Sequence, residues 1–211
     1  MKEVIVFTKV PERGQVKTRL QKRYSPYQVE EIYIAFLEDT IDKLRDYYPW
    51  IAYYPEGKAQ VMWNLFGDRK YMLQRGRDMG EKLLNVFTDF YKMGVKDLLV
   101  VGCDVPTLRK EHIDDAFDLM DVNDLVLGPC HDGGFYLIGG GGARKELFEG
   151  VDWNGTDIFD KTKANAEALG LKVAILPNLR DVDHPEDIDA LWSSGELDNG
   201  SRTYMVLKKM R

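Results

Sequence analysis

Cysteine is nearly absent from this chain: 211 residues carry two thiols, Cys103 and Cys130. That is too few for a disulfide framework, and their separation is not that of a CxxC metal or redox pair. Both are read as reduced thiols of a cytoplasmic protein. Histidine is almost as scarce, and His112, His131 and His184 show no HxxxH spacing, which argues against zinc. No apolar run approaches the length of a membrane span, and Val4-Ile5-Val6-Phe7 starts a strand with no signal peptide ahead of it. Positive charge is not in excess: 29 basic against 35 acidic residues leave −6, unlike a nucleic-acid-coating surface. Three fingerprints are missing as well. Neither the P-loop spacing, nor GxGxxG, nor the GxSxG elbow of serine hydrolases occurs.

What is present describes an ordinary globular chain, 44% hydrophobic and 30% charged, long enough for one large core. Short apolar runs alternate with helical patterns. Strands are expected at Val4–Phe7, Trp50–Tyr54, Leu98–Val101, Leu125–Leu127, Phe135–Ile138 and Val173–Leu176. Helices are expected at Pro26–Tyr47, Gly80–Lys92, Lys110–Met120, Thr156–Leu169 and Pro185–Trp192, the first capped by Ser25 with proline at N1. A short helix and a short strand fit Glu56–Gln74. This alternation predicts a single-domain three-layer α/β/α sandwich with a mostly parallel sheet over residues 1–195. Residues 196–211 form a tail, an appended edge strand or a loose end; as an edge strand, Tyr204 to Leu207 would pair with a second copy in a homodimer.

The run Leu98-Leu99-Val100-Val101-Gly102-Cys103-Asp104-Val105-Pro106 holds a carboxylate at the end of a strand buried on both faces. Open α/β sheets place ligands at such ends. Asp104 is therefore a ligand-handling group or a helix cap, and position alone leaves both readings open. After the first strand, Lys9, Arg13, Lys17 and Arg19 surround Gly14, which suits a phosphate cradle or a solvated basic loop. Cys130-His131-Asp132-Gly133-Gly134 reads first as a tight inter-strand turn. Asp181 and Asp183 alternate at strand period before Pro185 and share one side if extended. A hard divalent ion bridging diphosphate oxygens needs one or two carboxylates, which Asp104 and Asp183 would supply.

In this order the segments resemble a known family. Lys-x-Pro-x-x-Gly-x-Val-Lys-Thr-Arg-Leu at Lys9 to Leu20, Gly-x-Asp-x-Pro-x-Leu at Gly102 to Leu108, Gly-Pro-x-x-Asp-Gly-Gly-Phe-Tyr-Leu-Ile-Gly at Gly128 to Gly139 and Asp-Val-Asp-x-Pro-Glu-Asp at Asp181 to Asp187 resemble the radical-SAM/selenodomain-associated transferases. These belong to the GT-A-like nucleotide-diphospho-sugar transferases, whose more distant members include guanylyltransferases. Gln74 to Glu81 and Trp153 to Thr156 match two further motifs more weakly.

The resemblance implies Asp104 and Asp183 as ligands of Mg2+ or Mn2+, and Lys9, Gly14, Lys17, Arg19, Gly76 and Asp78 as the nucleotide site. It implies Asp132, Gly133, Gly134 and Thr156 on the acceptor side, with Asp104, Lys17 and Asp132 catalytic. Asn154-Gly155 and the run Gly139 to Gly142 depart from the family pattern, and both are assigned to the acceptor side. The function implied is metal-dependent transfer from a nucleotide-sugar donor to a small-molecule acceptor. The alternatives are nucleotidyl transfer onto a phosphorylated small molecule with release of pyrophosphate, and a non-catalytic nucleotide-binding protein.

Overall fold

The computed structural model of the chain describes residues 2–140 and 144–211. Seven strands build one sheet in the order β3-β2-β1-β4-β6-β5-β7. They are β1 (Lys2–Lys9), β2 (Trp50–Tyr54), β3 (Lys70–Leu73), β4 (Asp97–Gly102), β5 (Leu125–Pro129), β6 (Phe135–Gly140) and β7 (Val173–Ile175). All neighbouring pairs are parallel except those of β6, which is antiparallel to both β4 and β5. The helices are α1 (Pro26–Lys43), α2 (Ala59–Phe66), α3 (Met79–Lys92), α4 (Lys110–Met120), α5 (Ile158–Ala168), α6 (Pro185–Ser194) and α7 (Arg202–Lys209). The expected α/β sandwich is the fold observed. Among the described residues, no helix is long and apolar enough to cross a membrane.

Strand alternation divides the core between the two faces of the sheet. Val4, Val6, Leu99 and Val101 pack with Tyr33, Leu37 and Ile41 of α1, Met62 of α2 and Phe117 of α4. On the other face, Ile5, Phe7, Leu98 and Val100 pack with Leu83, Phe87 and Phe90 of α3 and Ala166 of α5. The central β4 is buried on both faces, as its unbroken apolar run requires. A capping box starts α1: Ser25 Oγ accepts from Gln28 N, and Gln28 Oε1 accepts from Ser25 N.

Two expectations are corrected here. The tail is neither a strand nor loose. It forms α7, whose Leu207 packs with Val29, Ile32 and Phe36 of α1 in a third apolar cluster. The buried Asp39 carboxylate of α1 accepts from Arg202 N (2.9 Å) and Thr203 N (2.8 Å), satisfying the first turn of α7. Tyr204 to Leu207 therefore offer no strand edge to a second copy. Gly139 and Gly140, the described part of the glycine run, lie away from the expected acceptor side. Because β6 runs backwards, Gly139 and Gly140 pair with Leu99 and Leu98 near the start of β4, at the end of the sheet opposite Asp104. Gly139 is required by packing: a Cβ there would lie 2.2 Å from Leu99 Cδ2. Gly141 and Gly142 lie outside the described residues.

Candidate active site

The loop after β1 is pinned by buried Val10 and Val16 and turns at Gly14, whose φ is +77°. Lys9 Nζ braces this turn by donating to Gln15 O at 2.8 Å. The loop ends at Lys17 in the left-handed region (φ 42°, ψ 45°), a conformation uncommon for a residue with a side chain. The lysine side chain is turned into the protein, only 8% exposed, and its ammonium bonds both Asp104 Oδ2 (2.8 Å) and Asp183 Oδ1. Arg19, largely exposed, donates from Nη1 to Asp183 Oδ2 at 3.0 Å. Arg13 points elsewhere and pairs with Glu30 of α1. Burial disfavours the Lys17 charge, yet the two carboxylates outweigh it and hold the ammonium above its ordinary pKa. Asp183 responds in kind: burial would raise it, but Lys17 and then Arg19 hold it below the usual carboxylate range.

Asp104 lies two residues past β4 and is not the helix cap that the sequence left open. Arg109 occupies the N-cap of α4. The Asp104 carbonyl accepts from Val182 N at 2.9 Å, which draws the Asp181–Asp183 segment alongside. Val182 is fully buried between the two aspartates, so the expected alternation holds. Asp187 caps this turn, its Oδ2 accepting from Asp183 N and His184 N.

The structure brings Lys9, Lys17, Arg19, Asp104 and Asp183 around one recess of about 370 Å³. Lys9, Tyr33 and Asp104 also line an adjoining cavity of about 530 Å³ at the C-terminal ends of β1 and β4. Its floor is a neutral network. Tyr33 Oη lies 3.0 Å from Thr8 Oγ1 and 3.5 Å from Cys103 Sγ, and it accepts from Lys9 N. Burial pushes the Cys103 thiol up to about 12, so it is not a nucleophile.

Other expected residues do not meet at the ion pair, and of them only Gly134 lines a cavity. Asp132 Oδ1 accepts from Gly134 N (2.8 Å), the tight turn that joins antiparallel β5 and β6. Gly133 has φ +90°, and a Cβ there would lie 1.8 Å from Thr156 O; Phe159 N donates to Gly133 O at 2.8 Å. Thr156 is thus fixed against this turn, and Gly134 lines the larger cavity. Gly76 (φ +146°) and Asp78 shape the start of α3, where Asp78 Oδ1 accepts from Glu81 N. Neither lines the two cavities.

Gln74, which opens their motif but was given no role, and Lys82, which the sequence reading did not name, do line the larger one. The buried Gln74 amide donates to Thr8 O (2.9 Å) and Ala52 O (2.7 Å), joining the ends of β1 and β2. Lys82 Nζ sits 3.9 Å from the Tyr54 ring centroid, and burial followed by the nearby Lys9 charge lowers its pKa. Asp181, noted in the sequence only for its alternation with Asp183, has surroundings of its own. Its carboxylate groups with Asp132 and Cys130, ligand atoms within 4.8 Å of one another. Burial and then the Asp132 charge push Asp181 up to about 6, while burial keeps the Cys130 thiol protonated.

A family model described as "Uncharacterized protein conserved in bacteria (DUF2064)" matches residues 38–155, more than half of the chain. The chain belongs to this family. A structural match covers nearly all of it: a "putative nucleotide-diphospho-sugar transferase" from Desulfovibrio desulfuricans G20 superposes with a TM-score of 0.93 at 27% identity, over 99% of this chain and 95% of that one. The inositol-1-phosphate CTP transferase of T. maritima shares the fold at a TM-score of 0.53 and 13% identity, over 95% of this chain and 98% of that one. The 2-phospho-L-lactate guanylyltransferase of Methanocaldococcus vulcanius is 24% identical over 110 residues, 51% of this chain and 48% of that protein. The match spans about half the length of that relative. These relatives and fold neighbours of the DUF2064 chain are nucleotidyltransferases or nucleotide-sugar transferases, as the sequence motifs imply. The radical-SAM association rests on those motifs alone.

Proposed function

We propose that this chain is a metal-assisted transferase that takes a nucleotide sugar as donor and passes the sugar to a small-molecule acceptor. One observation carries the reading. Lys17, Arg19, Asp104 and Asp183 converge beside a deep cavity at the ends of the central strands, where open α/β sheets bind ligands. In this reading Lys17 and Arg19 meet the donor's diphosphate, and the raised pKa of Lys17 keeps its charge at neutral pH. Asp104 and Asp183 suit a hard divalent ion, since one ammonium already reaches oxygens of both. Mg2+ or Mn2+ held there would neutralise charge on the departing diphosphate. Asp132, Gly133, Gly134 and Thr156 then form one fixed wall on the acceptor side.

A second reading keeps the same residues but makes a nucleoside triphosphate the donor and pyrophosphate the product. The guanylyltransferase relative favours it. Purified protein incubated with Mg2+ or Mn2+ and either donor class separates the two. Nucleoside diphosphate release supports sugar transfer, and pyrophosphate release supports nucleotidyl transfer. If no nucleotide or nucleotide sugar raises the melting temperature with or without the metal, both readings fall.

A further inference from the structure

The larger cavity has two unlike walls. On the β2–β3 side stand Lys9, Lys82, Tyr54 and Gln74, which give this wall the cavity's only lysines or arginines among the described residues. The opposite wall, from β6 and the segment leading into α5, is Phe135, Tyr136, Ile138, Trp153 and Ile158 around Gly134, with no charged side chain. Trp153 meets Phe135 edge to face at 6.3 Å and Phe148 at 6.0 Å, so its ring is held in place. Gly80 at the start of α3 leaves the room it occupies: a Cβ there would lie 2.8 Å from Trp153 Nε1. Among the described residues the indole N–H has no hydrogen-bond partner, and Trp153 lines the cavity.

The two segments that build that wall carry Asp132, Asp152 and Asp157, none of which lines the cavity. Arg144 lines a separate recess with Lys96 and Asp124, and Lys145 pairs with Glu149 at 3.3 Å. A phosphomonoester set against this wall would find no cation on it, the cavity's two lysines standing on the facing wall, which disfavours it there electrostatically. An uncharged ring bearing hydroxyls would stack on the Trp153 face, or accept at its edge from the in-plane N–H.

Resting on the proposed transferase function, we infer that the acceptor is a neutral hydroxylated ring compound and not a phosphorylated one. The acceptor hydroxyl oxygen forms the new bond to the anomeric carbon. The bond from that carbon to the diphosphate oxygen breaks, the nucleoside diphosphate leaves with the electron pair, and the hydroxyl proton passes to water at the open mouth.

The test pairs p-nitrophenyl β-glucoside with glucose 1-phosphate as acceptors. Each is offered with a panel of nucleotide sugars and of nucleoside triphosphates in Mn2+. Donor binding is read separately as a melting-temperature shift. The glucoside is expected to stimulate nucleoside diphosphate release, and glucose 1-phosphate to stimulate nothing. Trp153→Leu should raise the KM for the glucoside about tenfold while the donor KM stays within twofold. Trp153→Phe, which keeps a ring and loses the N–H, should fall between. Any result in which glucose 1-phosphate equals or exceeds the glucoside, with donor binding intact, overturns the inference and leaves the transferase reading standing. An absence of donor binding removes both.

Discussion

The Lys17 ammonium lies 2.8 Å from Asp104 Oδ2 and bonds Asp183 with the same nitrogen, joining positions 166 residues apart in the chain. One cation thus sits where two carboxylates meet. Lys17→Met should leave those carboxylates with only the exposed Arg19, on Asp183, as a cationic partner and lower stability by about 2 kcal/mol. Millimolar Mn2+ should then raise the melting temperature of the variant more than that of the parent protein. Equal shifts in the two proteins would show that the carboxylates do not share a divalent ion.

Asp104 caps no helix, and its structural task is to share the buried Lys17 ammonium with Asp183. Asp104→Asn is expected to lower the unfolding free energy by about 1–2 kcal/mol, Asp183 remaining as the partner of Lys17. Donor turnover should fall by about 100-fold or more, as for loss of a charge that stabilises a transition state. Steady-state product release beside a urea melt measures both, and undiminished turnover would remove Asp104 from the chemistry.

Gly133 and Gly14 share a positive φ but not a neighbourhood. Gly133→Ala must move the Thr156 carbonyl and is expected to cost more than about 2 kcal/mol. Gly14→Ala meets open space, so only the backbone conformation is penalised, at about 1 kcal/mol. Comparable urea midpoints for the two variants would contradict the contact at Gly133.

Asp181 has its ordinary value near 3.8 in the unfolded chain and about 6 in the fold. Between these values the folded protein retains a proton that the unfolded chain has released. Stability from this group is therefore full below about pH 4 and is lost as the pH rises through 6. Asp181→Asn should stabilise the protein at pH 7.5 by up to about 1 kcal/mol, discounted for the solvent access of the carboxylate. The difference should vanish at pH 4. Unfolding curves at both values decide it, and a gain that persists in acid would assign the effect to something other than titration.

The elements legible in the sequence were those with a strong local signal. The unbroken Leu98–Val101 run announced a central strand, and Ser25-Pro26 announced a helix start; both sit where expected. The direction of β6 was less evident because apolar strands look alike either way. Asp132-Gly133 was its signal, since a turn that short joins antiparallel neighbours. Helix α7 was misread because Tyr204 to Leu207 resemble a strand in isolation. What makes them helical is distant, the apolar face of α1 and the Asp39 carboxylate. In the site, Lys17, Arg19, Asp104 and Asp183 were readable from residue type and order. That Lys17 bridges the two aspartates was not, because nothing local encodes a contact across that separation. Gly76 and Asp78 drew notice through their motif, yet they build the turn that presents Gln74 and Lys82.

The two walls of the larger cavity come from separate stretches of chain. One is encoded before residue 105, the other between Gly134 and Ile158. The second stretch is fastened to itself where Gly133 meets Thr156, and to the first through the β4–β6 ladder and through Trp153 seated on Gly80. Under the proposed function, recognition of what gives and of what receives is partitioned along the chain. Exchange of the later segment between family members would give a modular way to redirect the receiving partner while the giving one stays the same.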